Sequence, residues 1–249
     1  MSEAFLVADN LFKSFNGQKA VDGVSFAIEQ GEIFGLLGPN GAGKTTTIRI
    51  LATILEPDRG DVTIGGHSIR RDADAVRRII GVCPQELALY AEMSAFDNLV
   101  FFGKMVGLDS REAKAQAMTN LETMGLADRA RGRVDKYSGG MKRRVNFAIA
   151  LMGHPRLLFL DEPTVGIDPQ SRNMIYETIE GLRDKGMTVL YTTHYMEEAE
   201  RLCQRVAIMD SGRMVALDTP GGLKRLIGLS DEATLEDVFL KLTGRGLRD

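Results

Sequence analysis

Short apolar runs alternate with glycine turns along the first part of the chain. These runs cover residues 4–12, 24–28, 33–37, 62–64 and 79–83. Gly65-Gly66 follows the fourth run, and Pro84-Gln85 follows the fifth. Runs of this length that end at glycine or proline predict β-strands. The exception is the segment from Thr46 to Leu51, which follows a glycine-rich loop and predicts the start of a helix.

Between residues 86 and 152 the pattern becomes that of helices. Ser94 and Asp97 have the spacing of a capping box, and residues 110–124 have a helical composition that ends at Gly125. The next helix carries one apolar stripe, formed by Met141, Val145, Ala148, Ile149 and Met152. This segment therefore predicts a second, helical lobe.

Strands and helices alternate again after Pro155. Residues 157–161 predict a buried strand, residues 172–183 predict a helix, and residues 187–192 or 188–193 predict another strand, which together favour a parallel sheet covered by helices. Residues 206–209 and 214–217 predict a hairpin. The last apolar positions fall on one helical face, with Thr234 and Asp237 spaced as a capping box; they are Leu235, Val238, Phe239 and Leu242.

This pattern divides the chain into three parts. We predict a core with sheets from residues 1–85 and 153–220, an inserted helical lobe at residues 86–152, and a short helical tail at residues 221–249. A chain of 249 residues is long enough for one substantial core and a smaller second lobe.

Composition and charge exclude several classes of protein. The chain is 44% apolar and 26% charged, as in ordinary globular proteins, and its net charge of -3 gives no basic field for nucleic acid. Cys83 and Cys203 lie far apart and have no metal-ligand spacing, which favours a reducing cytosol. No apolar stretch approaches the ~20 residues of a membrane span, so we expect a soluble protein that is not exported.

The segment from Gly38 to Thr45 has the spacing of a phosphate-binding loop, G-x-x-x-x-G-K-[ST]. It lies between a predicted strand and a predicted helix, where backbone N–H groups and the helix dipole converge on one point. Glycine at positions 38, 41 and 43 permits close approach of a phosphate. Lys44 can reach the terminal phosphates, and the Thr45 hydroxyl can ligate Mg²⁺.

Two carboxylates, Asp161 and Glu162, end the apolar run 157–160. Open parallel sheets bind their ligands at the carboxyl ends of strands. Asp161 is therefore a candidate to hold Mg²⁺, and Glu162 to orient or deprotonate an attacking water. The alternative is that the two acids simply form a solvated strand end. The phosphate loop in the same chain favours the catalytic interpretation.

Ser138-Gly139-Gly140 precedes the amphipathic helix of the predicted lobe and offers a second group of backbone N–H donors at a helix start. Taken alone, the segment favours an ordinary helix cap and turn. If both helix starts bind one nucleotide, the second comes from another molecule, and a two-fold dimer then has two equivalent sites.

His194 and Gln85 each follow a predicted strand. His194 ends the strand 188–193, which we expect to run parallel to the strand that ends in Asp161, with the imidazole near a terminal phosphate. Gln85 lies where the helical lobe begins and is a candidate to contact the metal or the water. The alternatives are that His194 is a structural histidine and that Gln85 is a surface amide, since spacing alone fits these equally.

These motifs in this order resemble the nucleotide-binding subunit of an ATP-binding cassette (ABC) transporter over nearly the whole chain. They include Gly166-Ile167-Asp168-Pro169 besides the segments above. The resemblance implies an α/β P-loop NTPase core with a mainly parallel sheet, an N-terminal antiparallel β subdomain and an inserted α-helical subdomain. It also implies hydrolysis of ATP with Mg²⁺.

The resemblance assigns roles to individual residues. It implies a head-to-tail dimer around two ATP, in which Ser138, Gly139 and Gly140 of one subunit face the third phosphate held by Lys44 of the other. The implied nucleotide contacts are Phe15, Gly38, Asn40, Gly41, Ala42, Gly43, Lys44, Thr45, Thr46, Ser138, Gly139, Gly140 and Asp168, with Phe15 stacking on adenine. The implied catalytic residues are Lys44, Gln85, Glu162 and His194, and the implied Mg²⁺ ligands are Thr45, Gln85 and Asp161.

The signature departs from the usual Leu-Ser-Gly-Gly-Gln, because Tyr137 and Met141 occupy the first and fifth places. This variant, the basic run Lys142-Arg143-Arg144 and the segment 235–244 resemble the branch of drug, antibiotic, lipid and polysaccharide exporters. The implied partners are a second copy or a sister ATPase subunit and a membrane permease, which would hold the chain on the cytoplasmic face of the membrane. We expect no direct contact with nucleic acid or cargo. The alternatives are an importer or a cassette ATPase that acts on ribosomes or DNA.

Overall fold

A computed structural model of the chain describes residues 4–226, 228 and 233–244. The described residues form two compact units, the first from those up to residue 77 and from residue 186 onward, and the second from residues 78–185. The predicted functional division into core, helical lobe and tail stays a prediction. Part of the predicted tail, residues 227, 229–232 and 245–249, lies outside the described residues.

An antiparallel sheet opens the first unit. Its strand order is β2-β1-β4-β5. The strands are β1 (Ala4–Phe15), β2 (Gln18–Glu29), β4 (Arg59–Ile64) and β5 (His67–Ser68). The predicted antiparallel subdomain is therefore confirmed. β1 runs three residues beyond its predicted end at Phe12, because Lys13 and Phe15 continue the pairing with β2 although the apolar pattern has ended.

A second sheet of the first unit carries the parallel strands. It contains β3 (Ile33–Leu37), β8 (Thr188–Thr193), β9 (Arg205–Asp210) and β10 (Arg213–Asp218). β3 is parallel to both β8 and β9, and β9 forms the predicted antiparallel hairpin with β10. Every residue of β3 and β8 is buried, which explains why these strands read as continuous rather than alternating runs.

Five helices of the described chain belong to the first unit. They are α1 (Lys44–Leu51), α2 (Ala73–Arg77), α7 (Met196–Leu202), α8 (Pro220–Leu226) and α9 (Leu235–Thr243). α9 packs against α7 and α8 and buries Leu235, Val238 and Phe239. Its predicted capping box, Thr234 with Asp237, is complete.

The second unit contains a parallel strand pair, four α-helices and two 3-10 turns, Ala127–Arg129 and Val134–Lys136. β6 (Ile80–Cys83) is parallel to β7 (Leu157–Asp161). The helices are α3 (Ala95–Met105), α4 (Ser110–Thr123), α5 (Gly139–Ala150) and α6 (Pro169–Asp184). α3, α4 and α5 pack on one another, and α5 also packs on α6 and β6.

Two helix starts of the second unit differ from the sequence expectation. Ser94 accepts from the Asp97 N–H at 3.0 Å, but the Asp97 carboxylate accepts from the Ser94 hydroxyl at 2.6 Å, so the reciprocal backbone bond of a capping box is replaced. α6 begins at Pro169 rather than at Arg172, because Asp168 caps it and proline suits the first helical position.

Membrane-spanning segments are absent from the part of the chain that the structure describes. None of its helices has both the length and the apolar composition that crossing a bilayer requires.

Candidate nucleotide-binding and catalytic site

The phosphate loop connects β3 to α1 in the first unit. Gly43 is the N-cap of α1 at φ 103°, provides no side chain to cap the helix, and is followed by a first turn without acidic residues. By contrast, α3, α4, α5, α6 and α9 each begin with a side chain that accepts from an N–H of the first turn. The start of α1 is therefore arranged to receive an external anion.

Glycine is required at two positions of this loop by its close packing. A Cβ at Gly38 would overlap the Met209 carbonyl oxygen, and a Cβ at Gly43 would overlap the Ala20 carbonyl oxygen. Gly41 is different, because it has φ 81° and no heavy atom within 4 Å of a built Cβ. The loop therefore packs closely on other backbone at Gly38 and Gly43 and is open at Gly41, which leaves room for a phosphate group.

Lys44 is 5% exposed, and its ammonium lies against the loop. Nζ donates to the Gly38 carbonyl at 2.7 Å and to the Pro39 carbonyl at 3.2 Å. The cation is therefore already placed at the loop that a phosphate would enter. Thr45 is half-buried in the first turn of α1, where its hydroxyl suits a hard cation such as Mg²⁺.

His194 lies close to the start of the phosphate loop. It follows Thr193, the last residue of β8, which pairs with Leu37. The Gly38 N–H donates to the Thr193 carbonyl at 3.4 Å. The first unit therefore places the backbone next to His194 beside the start of the phosphate loop, and the role of the imidazole stays a prediction.

Glu198 is a buried residue that the sequence reasoning missed. Its carboxylate accepts from the Thr193 hydroxyl at 2.7 Å and from the Tyr191 hydroxyl at 2.8 Å. These bonds join the end of β8, which precedes His194, to the first turn of α7, which follows it. An acidic residue soon after a predicted buried strand was the available signal.

Phe15 lies at the end of the hairpin formed by β1 and β2 and is 47% exposed. Its ring has the Lys13 ammonium 5.8 Å from its centre. β2 reaches the phosphate loop, since Ala20 lies against Gly43. An exposed ring on this hairpin is suited to stack on a flat base.

In the second unit, β7 ends in two buried carboxylates. Asp161 is 3% exposed and Glu162 is 4% exposed. Glu162 has φ 48°, a conformation that costs a residue with a Cβ about 1 kcal/mol and that is found most often where function requires it. The Gln85 side-chain amide donates to Glu162 Oε2 at 3.2 Å. The second unit therefore brings Gln85, Asp161 and Glu162 together.

The start of α5 contacts the start of α6. Ser138 caps α5 by accepting from the Met141 N–H at 3.2 Å, and its hydroxyl proton remains able to donate. A Cβ at Gly140 would overlap Ser171, whereas a Cβ at Gly139 would meet no atom within 4 Å. Asp168 accepts from the Ser171 N–H at 2.9 Å, and the bonds from Ser171 hold the pKa of Asp168 below its usual value. Gly139 is therefore the open side of this helix start.

The departures from the usual signature have structural partners. Tyr137 is 8% exposed, and its hydroxyl donates to the Arg129 carbonyl. Met141 provides the backbone N–H that Ser138 caps. The tyrosine thus anchors the segment before α5, and the backbone at the helix start keeps its usual form.

The candidate magnesium ligands have the chemistry that this ion prefers. Among the described residues, no three of His, Cys, Asp and Glu gather as a protein metal cage. Mg²⁺ is commonly held by one or two protein oxygens, with water and phosphate oxygens completing its shell. Thr45 of the first unit has a hydroxyl oxygen, and Gln85 and Asp161 of the second unit have an amide oxygen and a carboxylate, so each residue carries an oxygen of a kind that Mg²⁺ accepts.

Comparison with known proteins identifies the family. The ABC transporter profile matches residues 21–165. The linearmycin resistance ATP-binding protein LnrL of Bacillus subtilis (strain 168) is 47% identical over 244 residues, which are 98% of this chain and 76% of that protein. The daunorubicin/doxorubicin resistance ATP-binding protein DrrA of Streptomyces peucetius is 45% identical over 88% of this chain and 66% of its own length.

Solved structures agree with this result. A structure of the ATP-binding subunit of an ABC transporter superposes with a TM-score of 0.86 at 30% identity, covering 96% of this chain and 99% of that one. A dimeric bacterial ABC transporter cassette superposes with a TM-score of 0.79 at 25% identity, covering 86% and 98%. The chain therefore belongs to the ABC transporter family, among its ATP-binding subunits, and it is an ATPase.

Proposed function

We propose that this ATPase is the motor of an exporter, in which two ATP-binding subunits close head to tail on two MgATP, hydrolyse them and reopen. The observation that carries the proposal is a pair of helix starts: that of α1 in the first unit, which has no side-chain cap, and that of α5 in the second, where the capping Ser138 keeps a hydroxyl proton to donate. The α5 start is open at Gly139. In a two-fold dimer the α5 start of each subunit can meet the nucleotide bound at the α1 start of its partner.

In this proposal the first unit binds the nucleotide. Phe15 stacks on adenine, and the backbone from Gly38 to Thr46, including Asn40 and Ala42, surrounds the phosphates. Lys44 exchanges its loop carbonyls for phosphate oxygens, which strengthens its bonds because both partners are then charged. The Mg²⁺ that Thr45, Gln85 and Asp161 would hold supplies charge neutralisation at the β- and γ-phosphates.

Glu162 is the proposed general base. It orients the attacking water and takes its proton, and Gln85 fixes the carboxylate through its 3.2 Å bond. His194 and Lys44 stabilise the charge that develops on the γ-phosphate. Ser138, Gly139 and Gly140 of the partner subunit donate to the same phosphate, and Asp168 lies at the contact between subunits.

The direction of transport rests on the relatives. Besides LnrL and DrrA, the Nod factor export ATP-binding protein I of Paraburkholderia xenovorans (strain LB400) is 44% identical over 90% of this chain. Export of an antibiotic, drug, lipid or polysaccharide is therefore the preferred function. The proposed partners are a second copy or a sister subunit and an integral membrane permease, which holds the ATPase on the cytoplasmic face of the membrane.

A purification tests this assignment directly. The Glu162→Gln variant is isolated with MgATP from detergent-solubilised membranes of its own host, with Lys44→Ala as the control that does not retain nucleotide. Mass spectrometry is expected to find a polytopic membrane protein at equal stoichiometry with Glu162→Gln. Ribosomal proteins or DNA in place of a membrane protein would support the alternative cassette function, and an import permease would reverse the direction.

A further inference from the structure

Two buried side chains of α5 hold the backbone on both sides of Gln85. Arg143 Nη1 donates to the Gln85 carbonyl at 2.6 Å and to the Pro84 carbonyl at 3.2 Å. Asn146 donates to the same Pro84 carbonyl at 3.2 Å and accepts from the Ala88 N–H at 3.1 Å. Arg143 and Asn146 are three positions apart and share one face of the helix. Four hydrogen bonds therefore fix residues 84–88 to α5.

The burial of these groups indicates a role beyond packing. Arg143 is 7% exposed and Asn146 is 2% exposed, while Gln85 and Ala88 on the outer side are exposed. Among the residues that the structure describes, no carboxylate forms an ion pair with Arg143, whose hydrogen bonds all go to the two carbonyls. Burying a guanidinium without a counter-charge is costly, so an apolar residue would serve a purely structural contact better.

The held segment leads directly to the proposed base. The Gln85 side chain donates to Glu162 Oε2 at 3.2 Å, and α5 itself begins at Ser138-Gly139-Gly140. We propose that Arg143 and Asn146 are positioning residues that place Gln85 against Glu162 and tie that placement to the α5 start. This inference rests on the proposed role of Glu162. Its consequence is that a movement of α5, when its start meets the partner's nucleotide, changes the geometry of the base.

Arg143→Met tests the inference by removing the donors while keeping an unbranched apolar stem. Freed of two bonds, the exposed Gln85 segment relaxes and the amide leaves Glu162, so we expect kcat to fall about tenfold or more. The KM for ATP should change by less than about threefold, because the phosphate loop lies in the first unit and is not altered. Arg143→Lys keeps a cation and N–H donors and should recover part of the lost kcat.

Asn120→Ala is the matched control. Asn120 of α4 is buried like Arg143 and also donates to a backbone carbonyl, but to that of Ala148 in α5 at 3.1 Å, and it has no bond to residues 84–88. This variant should lose thermal stability to an extent similar to Arg143→Met, yet keep kcat within about twofold. Equal losses of kcat in both variants would overturn the inference, because they would reflect the stability of α5 alone.

A double-mutant cycle separates this inference from the proposed function. In a Glu162→Gln background, Arg143→Met should lower the residual turnover little further, because both changes act on the same step. Turnover of Glu162→Gln at the unmodified rate would overturn the role of Glu162 and with it the inference. A slow Glu162→Gln together with a normal kcat in Arg143→Met would overturn the inference alone. Asn146→Ala, which leaves no unpaired charge, supplies the same test if Arg143→Met folds poorly, and a normal kcat there would likewise count against it.

Discussion

At the scale of single residues, the site depends on positions where ordinary packing rules are broken. Glu162 has a left-handed backbone, Lys44 is a buried cation, and Arg143 is a second one. Lys44 and Glu162 were identified from the sequence because each lies in a motif of fixed spacing. Arg143 was visible there only as part of a basic run, since its two carbonyl partners are 58 and 59 residues away in the sequence.

The two signature glycines are expected to behave in opposite ways. Gly139→Ala adds a methyl group into open space and improves helix propensity, so the melting temperature should stay the same or rise. The same methyl group blocks the open side of the helix start, so ATP hydrolysis should fall. Gly140→Ala instead overlaps Ser171 and Asp168 and should cost about 1–3 kcal/mol of stability.

Thermal melts and steady-state ATPase assays on both glycine variants check this expectation. Normal hydrolysis in Gly139→Ala would contradict the proposal that this helix start meets a nucleotide. An unchanged melting temperature in Gly140→Ala would contradict the packing of α5 on α6.

Removing the Lys44 ammonium from the phosphate loop should weaken the binding of ATP. Lys44→Ala removes charge-assisted bonds to phosphate, so ATP affinity is expected to fall about tenfold or more. Arg49→Ala is the control, because Arg49 is exposed in the last turn of the same helix. Calorimetric titration with MgATP measures both, and equal affinities in the two variants would argue against phosphate binding by Lys44.

At the scale of elements, the sequence predicted the fully buried strands well, the long strands β1 and β2 only in part, and the short helices poorly. The strands at residues 33–37 and 157–161 have their predicted bounds, and β8 at residues 188–193 matches one of its two predicted ranges; all three strands are completely buried and carry long apolar runs. α2, α7 and α8 were not predicted, since five to seven residues span too few turns to establish a helical period.

The site residues, too, were predicted best where they lie next to a buried strand. The phosphate loop and the two carboxylates were predicted from spacing next to buried strands. The spacing of Gln85 in the sequence fits a surface amide equally well. The hydrogen bond from its side chain to Glu162 is visible only in the folded structure. The roles of all these residues stay predictions until they are tested.

The cap of α6 gives a prediction about pH. Hydrogen bonds from Ser171 lower the pKa of Asp168 from its ordinary value of 3.8. A depressed pKa in the folded state contributes stability above the unfolded pKa, and this contribution is lost as pH falls through the folded value. Asp168→Asn keeps a good cap without the charge, so its melting temperature should fall less steeply than that of the unmodified chain between about pH 4 and pH 2. If the melting temperatures of the two proteins fell equally with pH across this range, the charge of the cap would contribute nothing to stability.

At the scale of the whole molecule, the two cysteines offer one reporter for each unit. Cys83 lies in the second unit and Cys203 in the first, and both are buried. Burial raises the pKa of Cys83 to about 12 and also raises the pKa of Cys203, so both remain thiols at neutral pH. We expect neither to react with iodoacetamide until its unit unfolds, because the thiolate is the reactive form.

Single-cysteine variants, Cys83→Ser and Cys203→Ser, measure this labelling as a function of urea concentration. Rapid labelling of either cysteine in the absence of urea would contradict its burial. MgATP should shift the labelling of Cys203 to higher urea, because a ligand that binds the folded first unit stabilises it.

The central claim is that two of these ATPase subunits close on ATP and that Glu162 is needed to reopen them. The most direct measurement is light scattering of the purified Glu162→Gln variant, with and without MgATP, together with the ATP content of each species. The account predicts a particle of twice the chain mass that holds one ATP per chain in the presence of MgATP, and a single chain when Mg²⁺ is chelated. A single chain under both conditions, or rapid conversion of the bound ATP to ADP, would contradict it.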